Sequence, residues 1–103
     1  MSCLIPQALA QYSAQDYYSA AIGLMAQSNW SQAGQYLEAA LKLEPGNVNA
    51  WKRLGECQEK LGQYKAALAS YEKAISLAPT DAEAQNRAES VRSQAIQSVS
   101  KDT

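Results

Sequence analysis

Residues 51–79 read WKRLGECQEKLGQYKAALASYEKAISLAP, and the pattern of large and small side chains in this stretch decides the fold. Trp51 and Tyr71 are large, Gly55, Ala67 and Ala74 are small, and Pro79 closes the stretch. Stepping back 34 residues from Pro79 lands on Pro45. The same step sets Ala67 over Ala33, Ala74 over Ala40, Leu77 over Leu43 and Glu72 over Glu38. It also sets Trp51 over Tyr17, Gly55 over Ala21 and Tyr71 over Leu37. A fixed period of this length marks stacked units, each too small to bury its apolar face alone.

The conserved sizes have a packing reason. Gly55 and Ala21 are small where two helices approach closely, and Ala33, Ala67, Ala40 and Ala74 do the same from the partner helices. The large residues fill the space beside them. Gly62 can end the first helix of the second unit in a left-handed conformation at little cost, and Ser28-Asn29 stands at that place in the first unit, where Asn tolerates that conformation next best. Pro45 and Pro79 stop the second helices, because the residue before proline avoids helical geometry. Asn47 and Asp81 are placed to cap the helices that follow, with Thr80 and Glu83 as a competing capping box.

The stretch resembles one tetratricopeptide repeat, whose pattern is W-x2-L-G-x2-Y, then A-x3-F, then P. Trp51, Leu54, Gly55, Ala67, Tyr71 and Pro79 fill those slots, Tyr71 replacing Phe; the first Tyr slot departs from the pattern and holds Gln58. The resemblance implies an all-α solenoid of antiparallel helix pairs. Repeats are expected over 14–47 and 48–81, followed by a capping helix over 82–97. There Ala84, Ala88, Val91, Ala95 and Val99 form one narrow apolar stripe, and the Trp and Gly slots have become Gln85 and Glu89. Residues 98–103 are expected to fray. Residues 1–13 form an N-terminal flank. The apolar spacing Ala10, Ala14, Tyr17, Ala21, Leu24 favours an extended first helix from about residue 7 over a start capped by Ser13 and Asp16. Five helices are expected, over 7–27, 31–43, 48–61, 65–77 and 82–97.

Composition narrows the function. Nine basic and ten acidic residues nearly cancel, with no basic block, so nothing is present to neutralise a phosphate backbone. The tyrosines could stack bases, but they lack basic neighbours and several have packing duties in the repeat. No run is apolar enough to span a bilayer. The start of the chain ends in a signal-like Ala8-Leu9-Ala10 without a positive first segment. A cytoplasmic protein is expected, with an exported or longer parent chain left open. Histidine is absent, which removes the commonest general base and metal ligand. Cys3 and Cys57 have no metal-ligand spacing; Cys57 reads as a small core residue and Cys3 as a free thiol. Glu56 and Glu59 could pair as an acid and a base, but a solvated face with Glu56 bridged to Lys60 is the better reading. Neither an enzyme nor a cofactor is expected.

The family resemblance implies protein recognition, with the first helix of each pair lining a concave groove. Carried over residue by residue, that groove takes Tyr18, Ile22 and Met25 from the first repeat and Lys52, Arg53, Glu56 and Glu59 from the second. Glu83 and Arg87 come from the end helix. One family subgroup clamps the acidic C-terminal tails of chaperones with Lys and Asn on the first groove helix, Asn on the second, and Lys and Arg on the third. Tyr18, Ile22, Arg53, Glu83 and Arg87 stand at the clamp positions here, and only Arg87 agrees. Such tails are therefore not expected to bind. The expected partner is a peptide or helix whose apolar face meets Tyr18, Ile22 and Met25, with Lys52, Arg53 and Arg87 orienting acidic residues beside it. The competing readings are a self-associating homodimer, which would cover the apolar flank Leu4, Ile5, Leu9 and Tyr12, and a fragment of a longer array.

Overall fold

The computed structural model describes residues 12–102. These form five helices and no strand: α1 (Ala14–Ala26), α2 (Trp30–Leu43), α3 (Val48–Lys60), α4 (Tyr64–Leu77) and α5 (Ala82–Asp102). Each helix packs on the one that follows it, giving a row of antiparallel neighbours. Among the described residues no helix is long and apolar enough to cross a membrane.

The turns repeat with the sequence. Gly62 has φ +77° and Ser28 has φ +61°, one period apart. Behind each, a backbone N–H reaches five residues back: Gln63 to the carbonyl of Gln58, and Asn29 to that of Leu24, both at 2.8 Å. These are the same helix-ending motif, in which a left-handed residue lets the chain cap its own last carbonyls. The N-termini follow suit. The Asn47 side chain accepts from the Ala50 N–H, and Asp81 from that of Ala84, both at 3.1 Å. Asp81 rather than Thr80 is therefore the cap of α5.

Two boundaries differ from the sequence reading by more than one residue. Ser13 caps α1 in extended backbone, accepting from the Asp16 N–H while Asp16 accepts from the Ser13 N–H. This reciprocal box ends the helix at Ala14, so the expected continuous helix through residue 13 does not form; its part before Tyr12, like Cys3, Leu4, Ile5 and Leu9, lies outside the described residues. At the other end α5 does not stop at residue 97 but continues to Asp102. No glycine or proline interrupts residues 82–102, so nothing in the sequence terminates the helix earlier.

The core runs along the seams. Ala21, Ala33, Leu37, Leu41, Ala50, Leu54 and Cys57 form one buried cluster, and Ala67, Tyr71, Ala88 and Val91 a second. Tyr71 is fully buried against Gly55: a Cβ on Gly55 would lie 2.8 Å from two atoms of the ring. Ala84, Ala88, Val91 and Ala95 are buried, so the narrow stripe of α5 is its packing face. Trp51, expected deep in the core, is only half-buried. Its indole N–H donates to the Pro45 carbonyl at 2.8 Å, and its ring flanks the first cluster.

Candidate partner-binding groove

Tyr18, Ile22 and Met25 recur at helical spacing along one side of α1. Tyr18 and Met25 rest partly on the first core cluster, whereas Ile22 is 38% exposed. The Tyr18 phenol lies within electrostatic reach of the Arg53 guanidinium on α3.

The charged side of α3 is bound to α5. Lys52 Nζ donates to Asp81 Oδ2 at 2.8 Å and to Glu83 Oε1 at 3.0 Å. Arg53 donates to Glu56 Oε1 at 2.6 Å and to Glu83 Oε2 at 3.0 Å. Arg87 reaches Glu83 at 3.5 Å and Glu59 at 3.6 Å. Glu59 also accepts the Tyr71 hydroxyl at 2.8 Å, tying the network to the second core cluster. The pairs explain the titration of the site. The hydrogen bond from Lys52, then that from the Ala84 N–H, holds the Asp81 carboxyl below its usual range. Hydrogen bonds from Lys52 and then Arg53 do the same for Glu83. The hydrogen bond to Asp81 raises the Lys52 ammonium above its ordinary value. Burial, and then the bond to Glu59, pushes the Tyr71 phenol well up.

The structure therefore brings Lys52, Arg53, Glu56 and Arg87 together, but in a different state from the one the sequence suggested. Each cation already holds two carboxylates. Lys52 is 8% exposed, so it braces Asp81 and Glu83 and is closed to an acidic partner. Glu56 pairs with Arg53 and not with Lys60, which instead lies over the Trp30 ring at 5.6 Å. Cys57 is buried in the core, where desolvation raises its thiol to about 11. Sequence reasoning missed the helix-to-helix pairs because their members are 29 to 31 residues apart. Their signal was the coincidence of Asp81 and Glu83 one period after the neutral Asn47 and Asn49.

A second feature was also missed. On the other side of α3, a cleft of about 670 Å³ opens between α2 and α4, lined by Leu41, Trp51, Leu54, Ala66 and Ala69 among others.

Comparison with known proteins agrees with this architecture. A family model described as tetratricopeptide repeat matches residues 18–82. The Arabidopsis OM64 TPR domain superposes with a TM-score of 0.76 at 28% identity, covering 79% of this chain and 67% of that one. A peroxisomal targeting signal receptor of Pichia angusta is 38% identical over 65 residues, which are 62% of this chain and 11% of the receptor. The human superkiller complex protein 3 is 45% identical over 49 residues, 48% of this chain and 3% of that protein. The chain thus spans a small part of the length of the receptor and of the superkiller protein. With the family model covering well over half of its residues and the helix pairs in the family's arrangement, the chain belongs to the tetratricopeptide repeat family.

Proposed function

We propose that this chain is a protein-interaction module that receives the apolar face of a partner's peptide or helix on α1, at Tyr18, Ile22 and Met25. Arg53, Glu56 and Arg87 form the polar border of that contact, and Lys52 acts behind them by fixing Asp81 and Glu83. The observation that carries the reading is the contrast between the two halves of the groove. The charged half is neutralised within the chain, while Ile22 stands open between two residues that are partly seated on the core. Removing an apolar strip from water is the dominant gain in such contacts, and adaptable Met suits a helical partner. The names of the two long relatives, a targeting signal receptor and a member of a complex, accord with a recognition role. The test is co-purification from the native source, followed by affinity measurement with the isolated partner. Tyr18→Ala and Ile22→Ser are each expected to weaken binding by about 1–2 kcal/mol, the exposed Ile22→Ser with little change in melting temperature and Tyr18→Ala with some loss because its ring rests partly on the core. Arg87→Ala should chiefly change salt dependence and association rate. A partner whose affinity ignores all three substitutions does not use this groove.

A further inference from the structure

We propose that the cleft between α2 and α4 is a second docking site, for a helix of a partner protein that carries a bulky apolar residue with acidic residues at one end beside it. The cleft measures about 670 Å³, inside the range of about 300–1,000 Å³ that suits ligand pockets. Its floor is Trp51, Leu54 and Gln58 of α3; one wall is Glu38, Leu41 and Lys42 of α2, and the other is Ala66, Ala69, Ser70 and Lys73 of α4. Ala66 and Ala69 leave that wall low, so a large side chain can enter. The polar atoms of the floor leave it largely apolar. The Trp51 N–H is held by the Pro45 carbonyl, and the Ser70 hydroxyl donates to the Gln58 side-chain oxygen at 2.6 Å. The Gln58 amide N–H groups remain available to an occupant.

Charge decides what the occupant carries. On the concave face every cation holds carboxylates of this chain. At the cleft neither Lys42 nor Lys73 joins an ion pair among the described residues. Lys73 instead lies 6.0 Å from the centre of the Trp51 ring. Helix α3 runs antiparallel to α2 and α4, so its first turn, with Trp51, meets their C-terminal halves, where Lys42 and Lys73 stand. The single lining carboxylate, Glu38, is one turn back on α2. The cleft therefore has a basic end over Trp51 and a small-residue end at Ala66 and Gln58. An amphipathic helix with an apolar anchor fits the floor, and acidic residues at its end complement the two ammonium groups, as in recognition of a helix by a groove.

The experiment is selection of random helical peptides, displayed on phage, against the full chain, followed by shift mapping in the ¹⁵N spectrum and fluorescence anisotropy. The expected peptides share a Leu or aromatic anchor with Asp or Glu at one end. They should shift Leu41, Lys42, Ala66, Ala69, Lys73 and the Trp51 indole, and leave Tyr18 and Ile22 unmoved. Lys42→Gln with Lys73→Gln should lower their affinity about tenfold at low salt, with the difference shrinking as salt rises. Ala69→Trp, at an exposed position, should fill the cleft and abolish binding while the melting temperature stays near that of the parent. Peptides without acidic residues, indifference to the double substitution, or shifts confined to α1, α3 and α5 would overturn the proposal. So would a dimer of the full chain that the double substitution dissociates, because a second copy would then be the occupant.

Discussion

Gly55→Ala should destabilise this protein, although alanine is the better helix former. A Cβ at position 55 would stand 2.8 Å from Cε1 and Cζ of Tyr71 and 3.0 Å from Cδ1. Carbon atoms pack best at about 3.5–4.0 Å, so the ring would have to retreat by roughly 0.5–1 Å. It has nowhere to go. Tyr71 is fully buried, sits among Ala67, Ala88 and Val91, and is held at its hydroxyl by Glu59. Overpacking of this kind costs about 1–3 kcal/mol, against a gain of about 1 kcal/mol from replacing glycine inside a helix. The expected net loss is up to about 2 kcal/mol, toward the upper end because the ring is held on every side. Gly34 provides the control. A Cβ there would meet Leu54 and Cys57 at 3.8 and 3.9 Å, which are ordinary contacts. Gly34→Ala should therefore keep the helix gain and stabilise by about 1 kcal/mol. The same chemical change should move the two melting temperatures in opposite directions, by about 4–8 °C per kcal/mol for a domain of this size. Thermal and urea melts followed by far-ultraviolet circular dichroism measure both. If Gly55→Ala melts at or above the parent, or if the two variants shift together, the contact between α3 and α4 is not as tight as described. Adding Tyr71→Leu to Gly55→Ala should recover part of the loss, because the two sites are in contact and must couple.

Acid stability depends on the ion-pair network. The Asp81 and Glu83 carboxyls are held below their ordinary values of 3.8 and 4.5, so the unfolded chain binds protons more readily than the folded one. Their contribution is present above those values and is lost as pH falls through the lower folded ones; Lys52→Met should flatten the stability curve on that acid side, as read from urea melts at stepped pH. At the alkaline side the Cys57 thiol, raised from 9.0 to about 11, favours the folded state below pH 9, and that preference disappears as pH rises through about 11. In a Cys3→Ser background, iodoacetamide at mildly alkaline pH should modify Cys57 only as fast as the chain opens, so a rate matching that of a free thiol would contradict its burial. Tyr71→Phe deletes the hydroxyl that Glu59 accepts and should cost about 1–2 kcal/mol in urea unfolding, with an unchanged melt counting against that bond.

The parts of the fold that were legible in the sequence are those that depend on side-chain size and local backbone chemistry. Gly55 against Tyr71, the paired prolines and the caps at Asn47 and Asp81 each report on a neighbour reached within one repeat unit, and each stands in the structure. Ser28 shows the limit of that reading: the turn falls where the register partner Gly62 predicts, but Ser28 adopts the left-handed conformation and not Asn29, the residue type that tolerates it better. The start of α1 was harder to read, because apolar spacing upstream of Ala14 competes with the Ser13 and Asp16 box, and spacing cannot weigh a hydrogen-bond pair against itself. Charge was least legible. Periodicity places Lys52, Arg53 and Arg87 on one face but does not say which cations already have carboxylates. The register supplies the missing step only after the pairs are seen. Lys52 with Asp81 and Glu83 stands one period after Tyr18 with Asn47 and Asn49, so the same slots are ionic in one half of the groove and neutral in the other. The ionic half braces α5 against α3. In the neutral half no ion pair braces α1 against α3 among the described residues, and that difference is the physical ground for proposing Tyr18, Ile22 and Met25 as the recognition surface and not the residues that carry the charge.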